Sequence, residues 1–350
     1  MINKFETHII HSKESVRCAL IMLDRLAADA VLFVADESHK LIGSLTDGDL
    51  RRGFIKGLGM EDSILNFIQK NPAFIKEKES SFEILKFYKN RNLKVIPIVN
   101  EEGVIIDIFN FRTQKTIIPA NAVLMAGGEG KRLRPLTEKT PKPLLEVGGK
   151  PIIEYNIDRL ISVGIKRITL SINYLGEQLK TYFEDGASKG ILIDYVKENK
   201  PLGTLGSISL IDHFEHEDVI VMNSDLLTNI DFADFFMAYK DSGADMAVAA
   251  TSYHVDVPYA VLKTGKKNQV KSLTEKPRYT YYSNAGIYLI NKKLFAMVPK
   301  DAHSDVTDFI EKVIGMNYQI ITYPITGYWL DIGKPEDFLK AQEDIKYIKW

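Results

Sequence analysis

Glycine and positive charge are concentrated in the stretch AVLMAGGEGKRLRPLTEKTPKPLLEV, Ala122 to Val147 of a 350-residue chain. Gly127, Gly128 and Gly130 end a short apolar run, and Lys131, Arg132, Arg134 and Lys142 follow them. Glycines let a backbone come close to a ligand, and successive free N–H groups after a strand form a concavity suited to phosphate. The cations supply matching charge. A glycine-rich turn on its own also serves simply to close a bend. Two other phosphate patterns are absent, since no GxxxxGK[ST] string occurs and no GxGxxG opens a helix here.

Two carboxylates and a second glycine string complete the set. Asp225 follows the apolar run VIVMN, and Asp331 lies in YWLDIGKPEDF. Hard oxygen ligands suit Mg²⁺, although either Asp taken singly also reads as a loop carboxylate or a helix cap. PLGTLGS, Pro201 to Ser207, carries Gly203 and Thr204, and Glu198 stands five positions before Gly203. A carboxylate only accepts hydrogen bonds. Guanine would offer such an acceptor adjacent N1–H and N2–H₂ donors, whereas uracil and thymine offer one donor beside carbonyls. The plain alternative is a surface glutamate on an edge strand.

The string GGxGxRLxPLTxxxxKP resembles the signature of the sugar-1-phosphate nucleotidyltransferases, and the resemblance extends over about Ala122 to Trp350. It implies that Arg132 and Lys142 hold the triphosphate and that Asp225 and Asp331 bind Mg²⁺. The glycine loops, with Gly127, Gly128, Gly130, Gly203 and Thr204, would enclose the nucleotide. Family members that handle thymidine place Gln where this chain has Glu198, so with a carboxylate at that place the resemblance implies GTP. In LTEKP, Glu275 would accept sugar hydroxyls and Lys276 would pair with the sugar phosphate; in SNAGIYLI, Asn284 and Gly286 would lie beside the sugar ring. The family's usual Thr before the arginine is Lys131 here. Nucleotidyl transfer needs no side-chain nucleophile, because a sugar 1-phosphate is already an anion; it needs charge neutralisation and alignment.

Those residues need a scaffold. From Ala122 onward strands are predicted at Ala122–Met125, Arg167–Ile172, Ile191–Val196, Asp218–Met222 and Asp245–Ala250, with helices at Pro151–Val163 and Gly176–Phe183. This alternation predicts an α/β, Rossmann-like domain over residues 119–350, with a mostly parallel sheet, helices on both faces and ligands at the carboxyl ends of the strands. Phe235-Phe236 and the tyrosines Tyr279 to Tyr282 read as core and rim packing, and His213, His216 and His254 lack metal spacing.

Residues 1–118 show one pattern twice, in halves of about 1–60 and 61–118. A helix at Glu14–Ala27 precedes strands Val31–Ala35 and Leu41–Leu45; a helix at Phe82–Asn90 precedes strands Val95–Val99 and Val104–Phe109. With LIGSLTDGDLRR closing its first half, this segment resembles a tandem CBS module, a family that commonly binds adenine nucleotides through Thr and Asp of a TxxD motif. Thr46 and Asp49 fill those places in the first repeat, but Phe109 and Arg112 stand there in the second, so at most one adenine-nucleotide site is expected. Helix capping explains Thr46 and Asp49 equally well.

Composition excludes other classes. Lys+Arg 45 against Asp+Glu 46 gives a net charge of -1, which offers nothing to nucleic acid. No apolar run reaches membrane-spanning length, the first residues lack a signal peptide's basic start and apolar core, and a cytoplasmic protein is expected. Cys18, the single cysteine, excludes an internal disulfide and reads as a buried structural thiol. The combined expectation is GMP transfer from GTP to a hexose 1-phosphate, releasing pyrophosphate. The domain arrangement resembles the glucosamine-1-phosphate guanylyltransferases of bacterial legionaminic acid biosynthesis. Mannose 1-phosphate as acceptor, UTP or CTP as donor, and a non-catalytic nucleotide sensor are the alternatives. Paired CBS modules would make a homodimer or larger homo-oligomer.

Overall fold

The computed structural model describes residues 5–77, 82–112 and 116–348. The chain forms two compact units, Met1–Ile117 and Ile118–Trp350. In the first, one plan occurs twice. β1 (Ile9–His11), α1 (Val16–Leu26), β2 (Val31–Ala35), β3 (Leu41–Thr46) and α2 (Asp47–Ile55) are followed by β4 (Ile75–Lys76), α3 (Phe82–Asn90), β5 (Val95–Val99) and β6 (Ile105–Asn110). β2 pairs parallel with β1 and antiparallel with β3, and β5 likewise with β4 and β6.

The Ser15 hydroxyl caps α1 by accepting from the Cys18 N–H. Its buried residues Val16, Ala19 and Leu23 recur at helical spacing and pack with Leu32, Val34, Leu45 and Leu50. Cys18 is half-buried rather than buried, and desolvation raises its thiol above the ordinary value. Phe33 and Ala35 from the first half meet Val95, Val99 and Ile105 from the second in a shared core.

The second unit is built on a seven-stranded sheet. Its elements, in chain order, are β7 (Ala120–Ala126), β8 (Glu146–Val147), β9 (Lys150–Pro151), α4 (Ile152–Ser162), β10 (Arg167–Ile172), α5 (Gly176–Phe183), β11 (Leu192–Lys197), β12 (Asp218–Asn223), β13 (Leu226–Thr228) and α6 (Phe232–Ser242). There follow β14 (Met246–Asp256), β15 (Val261–Thr264), β16 (Val270–Thr274), β17 (Arg278–Asn291), α7 (Val306–Gly315), β18 (Ile320–Pro324), β19 (Trp329–Asp331) and α8 (Pro335–Asp344). The spatial order is β11-β10-β7-β12-β17-β14-β18. β11, β10, β7 and β12 are mutually parallel; β17 alone runs against its neighbours β12 and β14.

β7 is apolar nearly throughout because both of its faces are covered. Ala122, Leu124 and Ala126 pack with α4, α5 and α6 through Ile153, Ile157, Leu179 and Phe235, while Val123 faces Val306, Phe309 and Val313 of α7. A smaller core fastens α8 beneath the first glycine loop, where Leu133, Leu145, Leu227 and Ile332 surround Ala341. Two features depart from expectation. The antiparallel β17 interrupts the parallel order. The outer parts of β14 and β17 also continue past the sheet as a two-stranded ribbon, pairing Thr251–Asp256 with Arg278–Ser283. Tyr279, Tyr281 and Tyr282 are therefore exposed instead of packed, whereas Phe235 and Phe236 are buried on α6.

Candidate active site

At the carboxyl ends of β7, β10 and β12 lies a cavity of about 710 Å³. Its lining includes Gly127, Gly128, Gly130, Arg132 and Lys142 from the first glycine loop and its sequel. Glu198, Gly203 and Thr204 line it from the second loop, and Asp225 from the end of β12. With Lys131, ten of the residues singled out from the sequence thus meet in one space, while Asp331 is not part of its lining.

The first loop turns because Gly130 adopts φ +60°, a conformation that suits glycine, and a Cβ there would sit 3.0 Å from Thr137 and 3.1 Å from Lys142. Its carbonyl accepts from the Thr137 hydroxyl at 2.8 Å. The charges are less equal than the sequence suggested. Glu129 lies 3.2 Å from Lys131 and 3.7 Å from Arg134, so both are partly neutralised. Arg132 is exposed, has no carboxylate partner among the described residues, and lies over Gly333.

Lys142 is buried on a short 3-10 helix at Lys142–Leu144. Its ammonium forms an ion pair with Asp225 Oδ2 and lies 3.9 Å from Asp331 Oδ1. Two short strands bring the carboxylates together across the chain: β13 and β19 pair antiparallel with Leu226 opposite Asp331, and the Ile332 N–H donates to the Asp225 carbonyl at 3.2 Å. One ammonium between two carboxylates leaves the cluster net negative. Oδ1 of Asp225 and Oδ1 of Asp331 are both buried without a hydrogen-bond partner. Burial, aided by the Asp225 charge, raises the Asp331 carboxyl above the ordinary range, with Lys142 and Arg132 opposing.

Unsatisfied buried oxygens with surplus negative charge are the chemistry of a cation site. Two such donors fit Mg²⁺, which commonly takes one or two protein carboxylates and completes its shell with water and substrate phosphate. No group of three or more metal-ligating side chains occurs among the described residues. The pair therefore suits a metal shared with a substrate rather than a cage built wholly from protein.

Glu198 is buried, not a surface glutamate on the edge strand β11. Its Oε1 accepts from Ser171 Oγ at 2.7 Å and its Oε2 from the Leu202 N–H at 3.0 Å. It thereby ties β10 to the second glycine loop at the cavity wall. Asn173, Tyr174 and Asn223 also line the cavity and were not foreseen. Their signal was position, since each lies at or just beyond the carboxyl end of a parallel strand.

The remaining candidates stand apart from this lining. Glu275 and Lys276 are exposed where β16 passes into β17. Asn284 is exposed, its Oδ1 accepting from the Gly286 N–H and the Tyr288 hydroxyl at 2.9 Å each. Gly286 is buried at φ +71°, and a Cβ there would meet the Asn223 amide at 2.6 Å.

In the N-terminal unit Thr46 and Asp49 form a reciprocal capping box at the start of α2. Asp49 Oδ2 accepts from the Thr46 N–H at 2.9 Å and the Thr46 hydroxyl at 2.6 Å, and Oδ1 accepts from Arg52 at 2.6 Å. At the corresponding place of the second half, Arg112 is held by the buried Asp29 at 2.8 and 2.7 Å. No helix among the described residues is long and apolar enough to cross a membrane.

Residues 121–347 match the nucleotidyl transfer family model described as "Nucleotidyl transferase". The chain is 32% identical over 227 residues to the mannose-1-phosphate guanylyltransferase catalytic subunit beta of Dictyostelium discoideum, covering 63% of each. It is 29% identical over 230 residues to the mannose-1-phosphate guanylyltransferase of Mycobacterium tuberculosis, covering 64% of each. It thus spans less than two thirds of the length of these curated relatives. Among solved structures, HddC from Yersinia pseudotuberculosis matches with a TM-score of 0.50 and 29% identity, over 65% of this chain and 99% of that one. A putative glucose-1-phosphate thymidylyltransferase from Bacillus anthracis matches in fold with a TM-score of 0.55 at 22% identity, over 66% of this chain and 97% of that one. With a central sheet that is mostly parallel and a family match over most of its second unit, the chain belongs to the nucleotidyl transferase family.

Proposed function

We propose that this chain transfers GMP from GTP to a hexose 1-phosphate. The observation that carries the reading is the pair of orphaned oxygens, Asp225 Oδ1 and Asp331 Oδ1, beside the buried Lys142 where both glycine loops converge. A phosphate oxygen of the sugar 1-phosphate attacks the α-phosphorus of GTP. The bond to the β-phosphate bridging oxygen breaks in line, and pyrophosphate departs with that electron pair. The Gly127–Gly130 turn and Arg132 receive the triphosphate, and Lys142 neutralises charge at the α-phosphate. Asp225 and Asp331 would hold Mg²⁺, which would supply further charge neutralisation and a template for the phosphates.

Glu198 directs the base. With one acceptor site of each oxygen used by Ser171 and Leu202, it retains acceptor capacity for the two adjacent donors of guanine. HddC has been solved in complex with GMP-PN, and the two relatives above carry guanylyltransferase names, which supports the choice of GTP. Lys276, exposed and without a carboxylate partner among the described residues, is the cation proposed for the sugar phosphate, with Glu275 and Asn284 on sugar hydroxyls. Gly286, which leaves room for the Asn223 amide, is proposed beside the sugar ring. Glucosamine 1-phosphate is the first acceptor to try, as in legionaminic acid pathways, and mannose 1-phosphate the second, as in the relatives' names.

The test is to incubate the full chain with each nucleoside triphosphate, Mg²⁺ and a panel of glucosamine, mannose and glucose 1-phosphates, and to measure pyrophosphate. GTP should give the fastest release. Faster release with UTP or CTP would overturn the assignment of the base. Triphosphate binding without turnover on any acceptor would favour a sensor.

The N-terminal unit we propose to be a tandem CBS module that pairs chains in a cytoplasmic homodimer and takes one adenine nucleotide at Thr46 and Asp49. The doubled strand–helix–strand–strand plan supports it. Calorimetry of the full chain with AMP should give a stoichiometry near one, lost in Asp49→Ala. An unchanged isotherm in that variant would leave Asp49 as a helix cap.

A further inference from the structure

The second glycine loop is not free-standing. Leu202 to Gly206 lies against the segment Ala302 to Val306, a hundred residues further on, through paired bonds. The Ser304 N–H donates to the Leu202 carbonyl at 2.8 Å and the Leu205 N–H donates to the Ser304 carbonyl at 2.9 Å. Added methyl groups show how close the two segments come. A Cβ on Gly203, at φ +77°, would lie 2.7 Å from Asp305 Oδ1, and one on Gly206 would lie 2.7 Å from the Ala302 carbonyl.

The side chains at this seam exchange their ordinary partners. Asp305 is the N-cap residue of α7, yet its carboxylate makes no capping bond to its own helix. Instead Asp305 Oδ1 accepts from the Thr204 N–H at 3.1 Å and lies 3.4 Å from the Thr204 hydroxyl. Thr204 Oγ1 in turn accepts from the Val306 N–H at 2.9 Å and so caps α7. Thr204 thus does for α7 what Asp305 would do from within the helix. A carboxylate is fixed beneath the backbone of the loop that lines the cavity.

We infer that Asp305 is a positioning residue for the nucleoside, holding the Gly203-Thr204 backbone in its binding conformation before the nucleotide arrives. The inference rests on the reading of this cavity as a nucleotide site. A loop ordered in advance does not lose its freedom on binding, so the benefit falls on nucleotide affinity. The sugar phosphate and the chemical step are left unaffected, because Asp305 does not line the cavity and touches neither Lys142 nor Asp225.

Three forms of the full chain separate this role from simple stability. Asp305→Ser keeps a good N-cap for α7 but is too short to reach Thr204; Asp305→Asn keeps an oxygen in place to accept from it. Calorimetry with GTP and Mg²⁺ is compared with steady-state kinetics and with hydrogen exchange at the Thr204 and Leu205 amides. In Asp305→Ser the dissociation constant and the KM for GTP should rise about tenfold, the size expected for losing a hydrogen bond to a charged group. The KM for the sugar 1-phosphate and kcat should stay within about threefold, and protection should fall at Thr204. Asp305→Asn should restore GTP affinity to within about threefold of the parent.

Unchanged GTP affinity in Asp305→Ser, with the parent binding GTP normally, would overturn the positioning role and leave the nucleotide site standing. Equal losses for both substrates, or an Asp305→Asn variant as weak as Asp305→Ser, would likewise overturn it. A parent that binds no triphosphate would instead remove the nucleotide site itself, and this inference with it.

Discussion

Two aspartate sites in this molecule use their polar atoms in opposite ways. At Thr46–Asp49 both oxygens of the aspartate are occupied from within, by the Thr46 N–H, the Thr46 hydroxyl and Arg52. At the other site, Asp225 and Asp331 each keep a buried oxygen with no hydrogen-bond partner, and a buried ammonium lies between them. A satisfied carboxylate holds a structure together. An unsatisfied one in a cavity is held for something that is yet to arrive. Substitution should therefore separate activity from stability at the second site, and at the first should cost stability and the proposed adenine nucleotide while leaving pyrophosphate release standing.

The largest effect is expected at Lys142. Lys142→Met removes the buried ammonium between Asp225 and Asp331 and leaves two carboxylates facing each other, so pyrophosphate release should fall on the order of a hundredfold to a thousandfold. Release within tenfold of the parent would detach Lys142 from the chemistry. Asp331→Asn should lose about a hundredfold in rate while the metal-free protein melts slightly higher. The sign follows from its raised carboxyl: burial disfavours the ionised form in the folded state, so Asp331 costs stability above its folded pKa, and the amide removes that cost. A lower melting temperature in Mg²⁺-free buffer would contradict this account of its burial. The same shift means that Mg²⁺ affinity should weaken as pH falls and Asp331 takes up a proton.

The N-terminal unit should show the reverse pattern. Asp29 is held down to about 2, first by the hydrogen bond from Arg112. Its depressed value contributes stability above the ordinary carboxylate range that is lost as pH falls toward 2. Arg112→Met leaves a buried carboxylate without its main partner and should cost about 2 kcal/mol in denaturant unfolding, with pyrophosphate release by the folded protein unchanged. The smallest change is expected for Asp49→Ala, which should cost about 1 kcal/mol as a lost cap. If either N-terminal variant abolished turnover while still folded, the division between the two regions would be wrong.

Much of the second unit was legible because its parallel strands are buried on both faces and read as continuous apolar runs, as in Ala120–Ala126. The ribbon was not legible, because Arg278–Asn284 is exposed on both faces and shows no apolar period. The glycine loops carried their own signal in residue type. The meeting of Asp225 with Asp331 did not, since it depends on strands of three residues each, below the length at which periodicity can be seen. Glu198 was visible as a carboxylate, but its burial depends on Ser171 and on the turn at Leu202, which spacing does not disclose. The pairing of Lys131 and Arg134 with Glu129 was hidden for a similar reason: three charges within six residues fix no geometry.

The most direct test of the comparison asks whether the two orphaned oxygens hold a metal against the triphosphate. GTP affinity is measured by calorimetry on the parent and on the Asp225→Asn, Asp331→Asn double variant, each with Mg²⁺ and again with EDTA. The parent should bind GTP at least about tenfold more tightly with Mg²⁺, and the double variant should bind equally in both conditions. The same Mg²⁺ dependence in both proteins would show that these carboxylates do not bind the metal.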